Sequence, residues 1–295
     1  ISLFDSKTAN ISVIHASDFP GASRNSSIHC VDKLYGDRVF VYILNLGSFL
    51  LDIGSGKITK IDTGLDPASQ IRKISQDAEG NIWAAADELY RFNLTRDLEP
   101  YHFSTNESGF TRYMLTQTLF MEKDGSMLVG TRNNGLWRYA YSNHSGMKYA
   151  DAIKVGGPLL EKANVVFIHI DNNERIWIGT FSSGLFVCNR DGTGTTKVPI
   201  YRDRFHYTIC GIAEDSEGYI WVSSYKGITR IDPITLEVLS YDENNGYPLK
   251  ENSLGALLFA SDSRLYVGGD NKICSANPKY LFQHNQVGAK AVFCS

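Results

Sequence analysis

The sequence lacks the features that mark several protein classes. No apolar run approaches the roughly 18 residues that a membrane-spanning helix needs. Lysine and arginine together number 29 against 32 aspartates and glutamates, and the formal net charge is -3. Because nucleic-acid binders usually carry a basic excess, we expect neither DNA nor RNA as a partner, and no membrane contact within these residues.

Cysteine is also scarce. The five cysteines are an odd number without a Cys-x-x-Cys pair, so the sequence predicts neither a disulfide framework nor a zinc site. We expect them to be small apolar side chains in strands. The acidic residues Asp77, Asp171 and Asp215 lack the alternating oxygen ligands of a calcium loop. No metal and no other cofactor is therefore predicted.

Apolar and aromatic residues are plentiful. They make up 43% and 12% of the 295 residues, which is typical of a folded globular protein. This length suits two ordinary domains or one large all-β domain. The chain starts at Ile1 without a leader and stops at Ser295 inside a strand-like stretch, so we interpret it as a segment of a longer protein.

One pattern recurs along the chain: an acidic residue, two further residues, glycine or a substitute, one residue, and an apolar-aromatic pair. Clear copies lie at 77–83, 122–128, 171–177 and 215–221, and weaker ones at 36–40 and 262–266. The residues that close these copies, from Phe40 to Tyr266, are 43, 45, 49, 44 and 45 positions apart. Sustained helical periodicity does not occur between them.

Each repeat is typical of four short antiparallel strands, which is a β-propeller blade. The acidic turns suit a type I turn closed by a left-handed glycine, and the apolar-aromatic pairs suit half-buried strands. Since one blade cannot bury both of its faces, we expect the sheets to stack. Trp83, Trp177 and Trp221 are then core residues between blades, not sugar-stacking platforms.

The predicted fold class is therefore all-β, a propeller of four-stranded antiparallel blades over residues 1–284. We expect a seven-bladed type with one incomplete blade, and six blades plus an extra hairpin is the alternative. The expected blades are 1–20 (partial), 26–64, 69–104, 112–152, 163–201, 206–243 and 252–282.

The repeat motif, Asp-x-x-Gly-x-Ile-Trp followed by small residues and then by Gly-Leu/Ile-x-Arg, resembles the two-component-regulator propeller repeat. It differs from the Gly-His and Trp-Asp pattern of WD40 blades. Asn277-Pro-Lys-Tyr-Leu281 also resembles the boundary at which such propellers meet an immunoglobulin-like module. Residues 285–295 would then be the linker and the start of that module.

The resemblance implies a non-catalytic sensor propeller from the periplasmic part of a hybrid two-component system of Bacteroides-like bacteria. The full-length protein would be an inner-membrane histidine kinase that signals as a homodimer. Its sensor would recognise a glycan-derived oligosaccharide, or relay binding from elsewhere. No kinase motif lies in these residues, so the segment itself should not be an enzyme.

If the first strand of each blade is innermost, the loops that enter it share one face with the loops between the second and third strands. This face is rich in arginine, asparagine and aromatic residues, which suit hydroxyl-rich or acidic sugars. The predicted ligand-binding residues are Arg72, Arg112, Tyr113, Arg132, Asn133, Phe181, Arg204, His206, Tyr207, Tyr225 and Lys226.

Two other functions stay open at this point, because propellers host several activities. A lyase or lactonase would need converging histidines and acids, and only His29, His169 and His206 lie at or near inner strands. A pure protein-interaction platform agrees with the same residues. We predict no catalytic residue.

Overall fold

The structure is a computed structural model that describes residues 2–5, 10–94, 101–103, 115–140, 152–200, 208–270 and 272–281. These residues form antiparallel β-sheets with 3-10 helices at Ala16–Asp18, Gly157–Leu160 and Glu243–Asn245. Across this described part, no helix is long and apolar enough to cross a membrane. The chain divides into two compact units, which are described separately.

The first unit comprises residues 1–131 and 137–153. It starts with a two-stranded sheet of β1 (Ser2–Asp5) and β2 (Asn10–Val13). Blade 1 contains β3 (Ile28–Lys33), β4 (Arg38–Ile43), β5 (Gly47–Asp52) and β6 (Ile58–Ile61). Blade 2 contains β7 (Lys73–Gln76), β8 (Asn81–Ala85), β9 (Leu89–Asn93) and β10 (Tyr101–Phe103). Blade 3 contains β11 (Thr116–Met121), β12 (Met127–Thr131), β13 (Leu136–Tyr139) and β14 (Ala152–Val155), and residues 132–136 and 154–155 of this blade are counted with the second unit.

The second unit comprises residues 132–136 and 154–295. Blade 4 contains β15 (Val165–Ile170), β16 (Ile176–Thr180), β17 (Leu185–Cys188) and β18 (Thr196–Val198). Blade 5 contains β19 (Ile209–Glu214), β20 (Ile220–Ser224), β21 (Gly227–Ile231) and β22 (Val238–Tyr241). Blade 6 contains β23 (Leu257–Phe259), β24 (Leu265–Gly269) and β25 (Lys272–Ala276), and α1 (Pro278–Leu281) follows it.

The predicted all-β propeller with four-stranded antiparallel blades is confirmed, but the blade count is corrected. Within the described residues six blades are present where seven were expected, the sixth with three strands, and the alternative of six blades plus a hairpin fits. The expected partial blade at 1–20 is instead the separate β1–β2 sheet and a following segment. That segment buries Phe19 against Phe49 of blade 1, with ring centroids 5.3 Å apart, so it covers this blade rather than continuing as a third strand.

Because consecutive strands are antiparallel neighbours, the turns of each sheet lie along the two borders that contain the ends of its strands, and we call these borders edges. We call the edge with the turn between the first and second strands the hairpin edge. The opposite edge holds the turn between the second and third strands and the segment that enters the first strand. We call it the turn edge.

The three repeat tryptophans are core residues, as predicted. Each is at most 1% exposed. Trp83 packs with blade 3 residues inside the first unit, and Trp177 and Trp221 pack with residues of blades 5 and 6 inside the second. Burying indoles of this size between neighbouring sheets supplies the apolar contact that a single blade lacks. The cysteines at 30, 188, 210 and 274 are likewise buried.

The acid that opens the repeat binds the tryptophan that closes it. The indole Nε1 donates to the carboxylate six residues earlier in three blades: Trp83 to Asp77 at 2.9 Å, Trp177 to Asp171 at 2.8 Å, and Trp221 to Asp215 at 2.7 Å. The second oxygen of each aspartate accepts the backbone N–H groups two and four residues onward. One side chain therefore shapes the hairpin and satisfies the buried indole.

Where the closing residue changes, the opening residue changes with it. In blade 1 the equivalent pair is Leu34 and Phe40, and Leu34 begins the same backbone turn. In blade 3 the closing residue is Leu128, and the buried Glu122 instead accepts the Arg138 side chain at 3.0 Å. The first position of the repeat thus holds an acid where a buried or half-buried donor needs an acceptor. In blade 1, where Phe40 has no such donor, this position holds Leu34.

Blade 6 corrects the sequence alignment of the weak copy at 262–266. Ala260 begins the backbone turn, so it takes the position of the aspartates in the other blades. The closing residue Tyr266 donates its hydroxyl to Asp262 at 2.6 Å. The acid has moved two positions because the tyrosine hydroxyl lies at a different point from an indole nitrogen.

We predict that Asp215→Ala lowers the free energy of unfolding by about 3 kcal/mol, because it leaves a buried indole N–H and two backbone N–H groups without their acceptor. Urea denaturation followed by tryptophan fluorescence measures the change. Asp262→Ala is the control, since this carboxylate is exposed and its loss should cost less than about 1 kcal/mol. Equal losses in the two variants would contradict this account.

A second prediction concerns the turn of blade 4. Glu174 has φ +62°, where the equivalent Gly80 and Gly218 have φ +86°. Because side chains disfavour this left-handed region, we expect Glu174→Gly to stabilise the protein by roughly 0.5–1 kcal/mol. Thermal denaturation measures the shift. Asn173→Gly, one residue earlier and outside this region, should destabilise, and a gain from it would contradict the explanation.

Candidate functional site

In the first unit, the turn edge ties each blade to the next. The hydroxyl of Tyr42 donates to the Pro67 carbonyl at 2.6 Å, which links blade 1 to the segment entering blade 2. The Thr116 hydroxyl accepts the Ala86 N–H at 2.8 Å and lies 2.9 Å from the Glu88 carbonyl. The turn between β8 and β9 is thereby held by the residue that begins blade 3.

The second unit repeats this arrangement with different side chains. The backbone N–H of Gly135 donates to Ala163 at 3.1 Å, and the Thr208 hydroxyl donates to the Phe181 carbonyl. The N–H of Asn252 donates to the Tyr225 carbonyl at 2.9 Å. Each turn is therefore anchored through its backbone.

The predicted ligand-binding residues of the second unit lie in these turns. Arg132 and Asn133 lie in the turn between β12 and β13, and both are exposed. Phe181 lies in the turn between β16 and β17 and is 43% exposed. Tyr225 is half-buried and Lys226 exposed, and together they form the turn between β20 and β21. The structure thus places all five side chains on turn edges.

Arg72 belongs to the first unit and has a different setting. It immediately precedes β7, and its guanidinium donates to the Thr116 carbonyl at 3.3 Å and to the Gln70 side chain at 3.2 Å. These bonds join blade 2 to blade 3 and occupy part of the donor set that was predicted for a ligand. Five further predicted residues, Arg112, Tyr113, Arg204, His206 and Tyr207, lie outside the described residues.

The surroundings of the phenol in the blade 5 turn raise its pKa. Burial, followed by the neighbouring Cys210 thiol and Glu251 carboxylate, raises the pKa of Tyr225. Burial also raises the pKa of Cys210 to about 12, so this thiol does not form a reactive thiolate near neutral pH. Tyr225 is therefore a hydrogen-bond donor as well as an aromatic surface.

These side chains have the chemistry of a non-covalent binding surface. Arginine and lysine donate to carboxylates, the asparagine amide pairs with hydroxyls, and the Phe181 and Tyr225 rings can cover an apolar sugar face. Among the described residues, no group of three or more His, Cys, Asp or Glu side chains is arranged to hold a metal ion.

Sequence reasoning missed the residues that hold this surface in place. Thr116 and Asn252 bind the backbone of turns more than 20 positions away in the chain. A single threonine or asparagine before a strand gives no local signal of such a contact. The repeat period identifies the neighbouring blade, but it does not identify which side chain reaches back to it.

Among the described residues, a half-buried histidine lies beside an acid on the first strands of blades 4 and 5. His169 lies on β15, and its Nε2 is 3.4 Å from Oε2 of Glu214 on β19. The Glu214 carboxylate also accepts the backbone N–H of Asn172 at 3.1 Å. Burial lowers the pKa of His169, while the Glu214 and Asp171 carboxylates act in the opposite direction. The net effect favours the neutral imidazole.

This depressed pKa predicts a pH dependence. As the pH falls, the unfolded chain takes up the His169 proton near its ordinary pKa of about 6.5, before the folded protein does. The stability contribution is thus present above about pH 6.5 and is lost as the pH falls toward the lowered value. We expect His169→Gln to flatten the profile of urea midpoints between about pH 5 and pH 7.5. The exposed His29→Gln is the control, and equal profiles in both variants would contradict the prediction.

Comparison with known proteins shows similarity in structure only. No family model and no curated protein matches the sequence. The chain is similar to the extracellular domain of a putative one-component system from B. thetaiotaomicron, with 20% identity, a TM-score of 0.68, and coverage of 87% of this chain and 33% of that one. It is also similar to the extracellular domain of a putative hybrid two-component system from the same organism, with 14% identity, a TM-score of 0.56 and coverage of 95% and 42%.

A third similar structure is PorZ, an essential surface component of the type-IX secretion system of Porphyromonas gingivalis. Its identity is 16% and its TM-score 0.63, over 85% of this chain and 38% of PorZ. The chain therefore spans well under half the length of each of these proteins. At these identities the likeness shows a shared fold.

Proposed function

We propose that this chain is a non-catalytic sensor propeller that binds an anionic, glycan-derived oligosaccharide at the turn edges of its second unit. The observation that carries the proposal is the placement of exposed cations, the exposed Phe181 and the half-buried Tyr225 in successive turns. It is supported by the fold, which resembles extracellular domains of two bacterial signalling systems.

Each side chain has a distinct part in this binding. Arg132 and Lys226 pair with sugar carboxylates, and Arg132 offers the more directional, bidentate contact. Asn133 hydrogen-bonds hydroxyl groups. Phe181 and Tyr225 lie against the apolar face of a sugar ring. Because the cations are exposed, salt screens their contribution, so affinity should fall as ionic strength rises.

The remaining parts of the proposal concern the whole protein. We place the chain in the periplasm, within an inner-membrane histidine kinase that functions as a homodimer. These parts rest on the repeat motif and on the similar extracellular domains. Arg72, Arg112, Tyr113, Arg204, His206 and Tyr207 stay predicted contributors to the same binding function.

The test compares anionic and neutral oligosaccharides of equal length. We expect oligogalacturonates, but not neutral galacto-oligosaccharides, to raise the melting temperature of the protein, because only the former engage the cations. Lys226→Ala and Arg132→Ala should each weaken calorimetric binding by about tenfold, which corresponds to about 1.4 kcal/mol. The loss should shrink at high salt.

Arg190→Ala is the matched control. Arg190 follows β17 on the hairpin edge of blade 4 and pairs with Glu174, so its removal should leave affinity unchanged. An equal loss of affinity in this variant would show a general charge effect and contradict the proposed site. Cleavage of the oligosaccharide by the protein would contradict a non-catalytic sensor.

A further inference from the structure

Asn252 holds the turn of blade 5 with a single side chain. Its amide nitrogen donates to the Ser224 carbonyl at 2.6 Å and to the Gly227 carbonyl at 2.9 Å, which lie on the two sides of the turn. Its amide oxygen accepts the Tyr247 hydroxyl at 2.6 Å. Its backbone N–H reaches the intervening Tyr225 carbonyl at 2.9 Å. The whole hydrogen-bonding capacity of this nitrogen is directed at one turn.

Burial makes this arrangement specific. Asn252 is only 3% exposed, so water does not readily replace its hydrogen bonds. An asparagine amide nitrogen has two donors, and both are used on carbonyls of the turn. Without them, the Ser224 and Gly227 carbonyl oxygens would each lose a hydrogen bond beside a buried side chain, which is costly. The path of the backbone at Tyr225 and Lys226 therefore depends on Asn252.

The same turn contacts the core beneath α1. A Cβ at Gly227 would collide with the Tyr241 carbonyl, so the backbones of β21 and β22 approach closely at this point. The Tyr241 hydroxyl in turn donates to the Leu281 carbonyl in α1 at 2.9 Å. Tyr241, Tyr247 and Leu281 belong to one buried apolar cluster. The turn and α1 thus share a continuous set of packed and hydrogen-bonded residues.

We propose that Asn252 is the positioning residue of the turn that presents Tyr225 and Lys226, and that it couples the conformation of this turn to α1 through Tyr247 and Tyr241. The inference rests on the proposed function only in taking this turn as a ligand contact. Ligand bound there tightens the turn, and the tightening is transmitted to α1, the last described element of the chain.

Hydrogen exchange without ligand tests the coupling directly. Asn252→Asp keeps the size of the side chain but replaces the two-donor nitrogen with an oxygen that faces the Ser224 and Gly227 carbonyls. We expect peptides covering 225–228 to exchange at least about tenfold faster, as loss of two hydrogen bonds predicts. Peptides covering 278–281 should exchange about threefold faster. Mass spectrometry of the 295-residue chain measures both.

Tyr247→Phe is the second variant, and it decides the question if Asn252→Asp does not fold. It removes only the hydroxyl that orients the Asn252 amide, so exchange at 225–228 should rise by about threefold. Tyr266→Phe is its matched control, because that hydroxyl bonds to Asp262 on the hairpin edge. It should leave exchange at both segments unchanged.

Two results would overturn the inference. Exchange at 225–228 that is the same in Tyr247→Phe and Tyr266→Phe would show that Asn252 does not position the turn through this network. Faster exchange at the turn with unchanged exchange at α1 would remove the coupling. If no oligosaccharide binds but both segments loosen as expected, the proposed function is wrong and the coupling stands.

Discussion

The hydrogen bond between an aspartate carboxylate and a tryptophan indole is the interaction on which blades 2, 4 and 5 depend. Stacking sheets needs a large side chain between them, and an indole brings a polar N–H into that dry space. Asp77, Asp171 and Asp215 supply the acceptor from the same hairpin. Because the aspartate lies six residues before the tryptophan in the same hairpin, each blade that carries this pair satisfies its indole N–H without a residue from another blade.

The variation among blades supports this reading. Phe40 has no hydrogen-bond donor, and Leu34 occupies the position six residues earlier where blades 2, 4 and 5 carry an aspartate. The Tyr266 hydroxyl donates to Asp262, which lies four residues earlier. In blade 3, where leucine replaces the tryptophan, the Glu122 carboxylate accepts a hydrogen bond from Arg138. In each case the polar groups that are buried are those that have partners, as the cost of an unsatisfied buried group requires. The repeats of one chain therefore act as a natural substitution series.

The turns on the two edges of the sheets are held by different interactions. The hairpin edge is occupied by the carboxylate that shapes the turn, so its sequence is restricted. At the turn edge the backbone is held from outside, by Thr116 in the first unit and by Thr208 and Asn252 in the second. Side chains in these turns can differ between blades, which is why we place the proposed binding residues there.

The sequence predicted the blade type because its signals are local: the acidic turn, the apolar-aromatic pair and the repeat period all act within one hairpin. It also placed Arg132, Phe181 and Lys226 in the correct turns, since antiparallel order alone decides the edge. Its first choice of seven blades was wrong and its alternative of six fits, because the first segment packs Phe19 on Phe49, some 30 positions away, instead of completing a blade. Nor did it reveal Asn252 as the residue that holds Tyr225 and Lys226. Contacts between neighbouring blades depend on which distant side chain reaches a given carbonyl, and only the packed tertiary structure decides that.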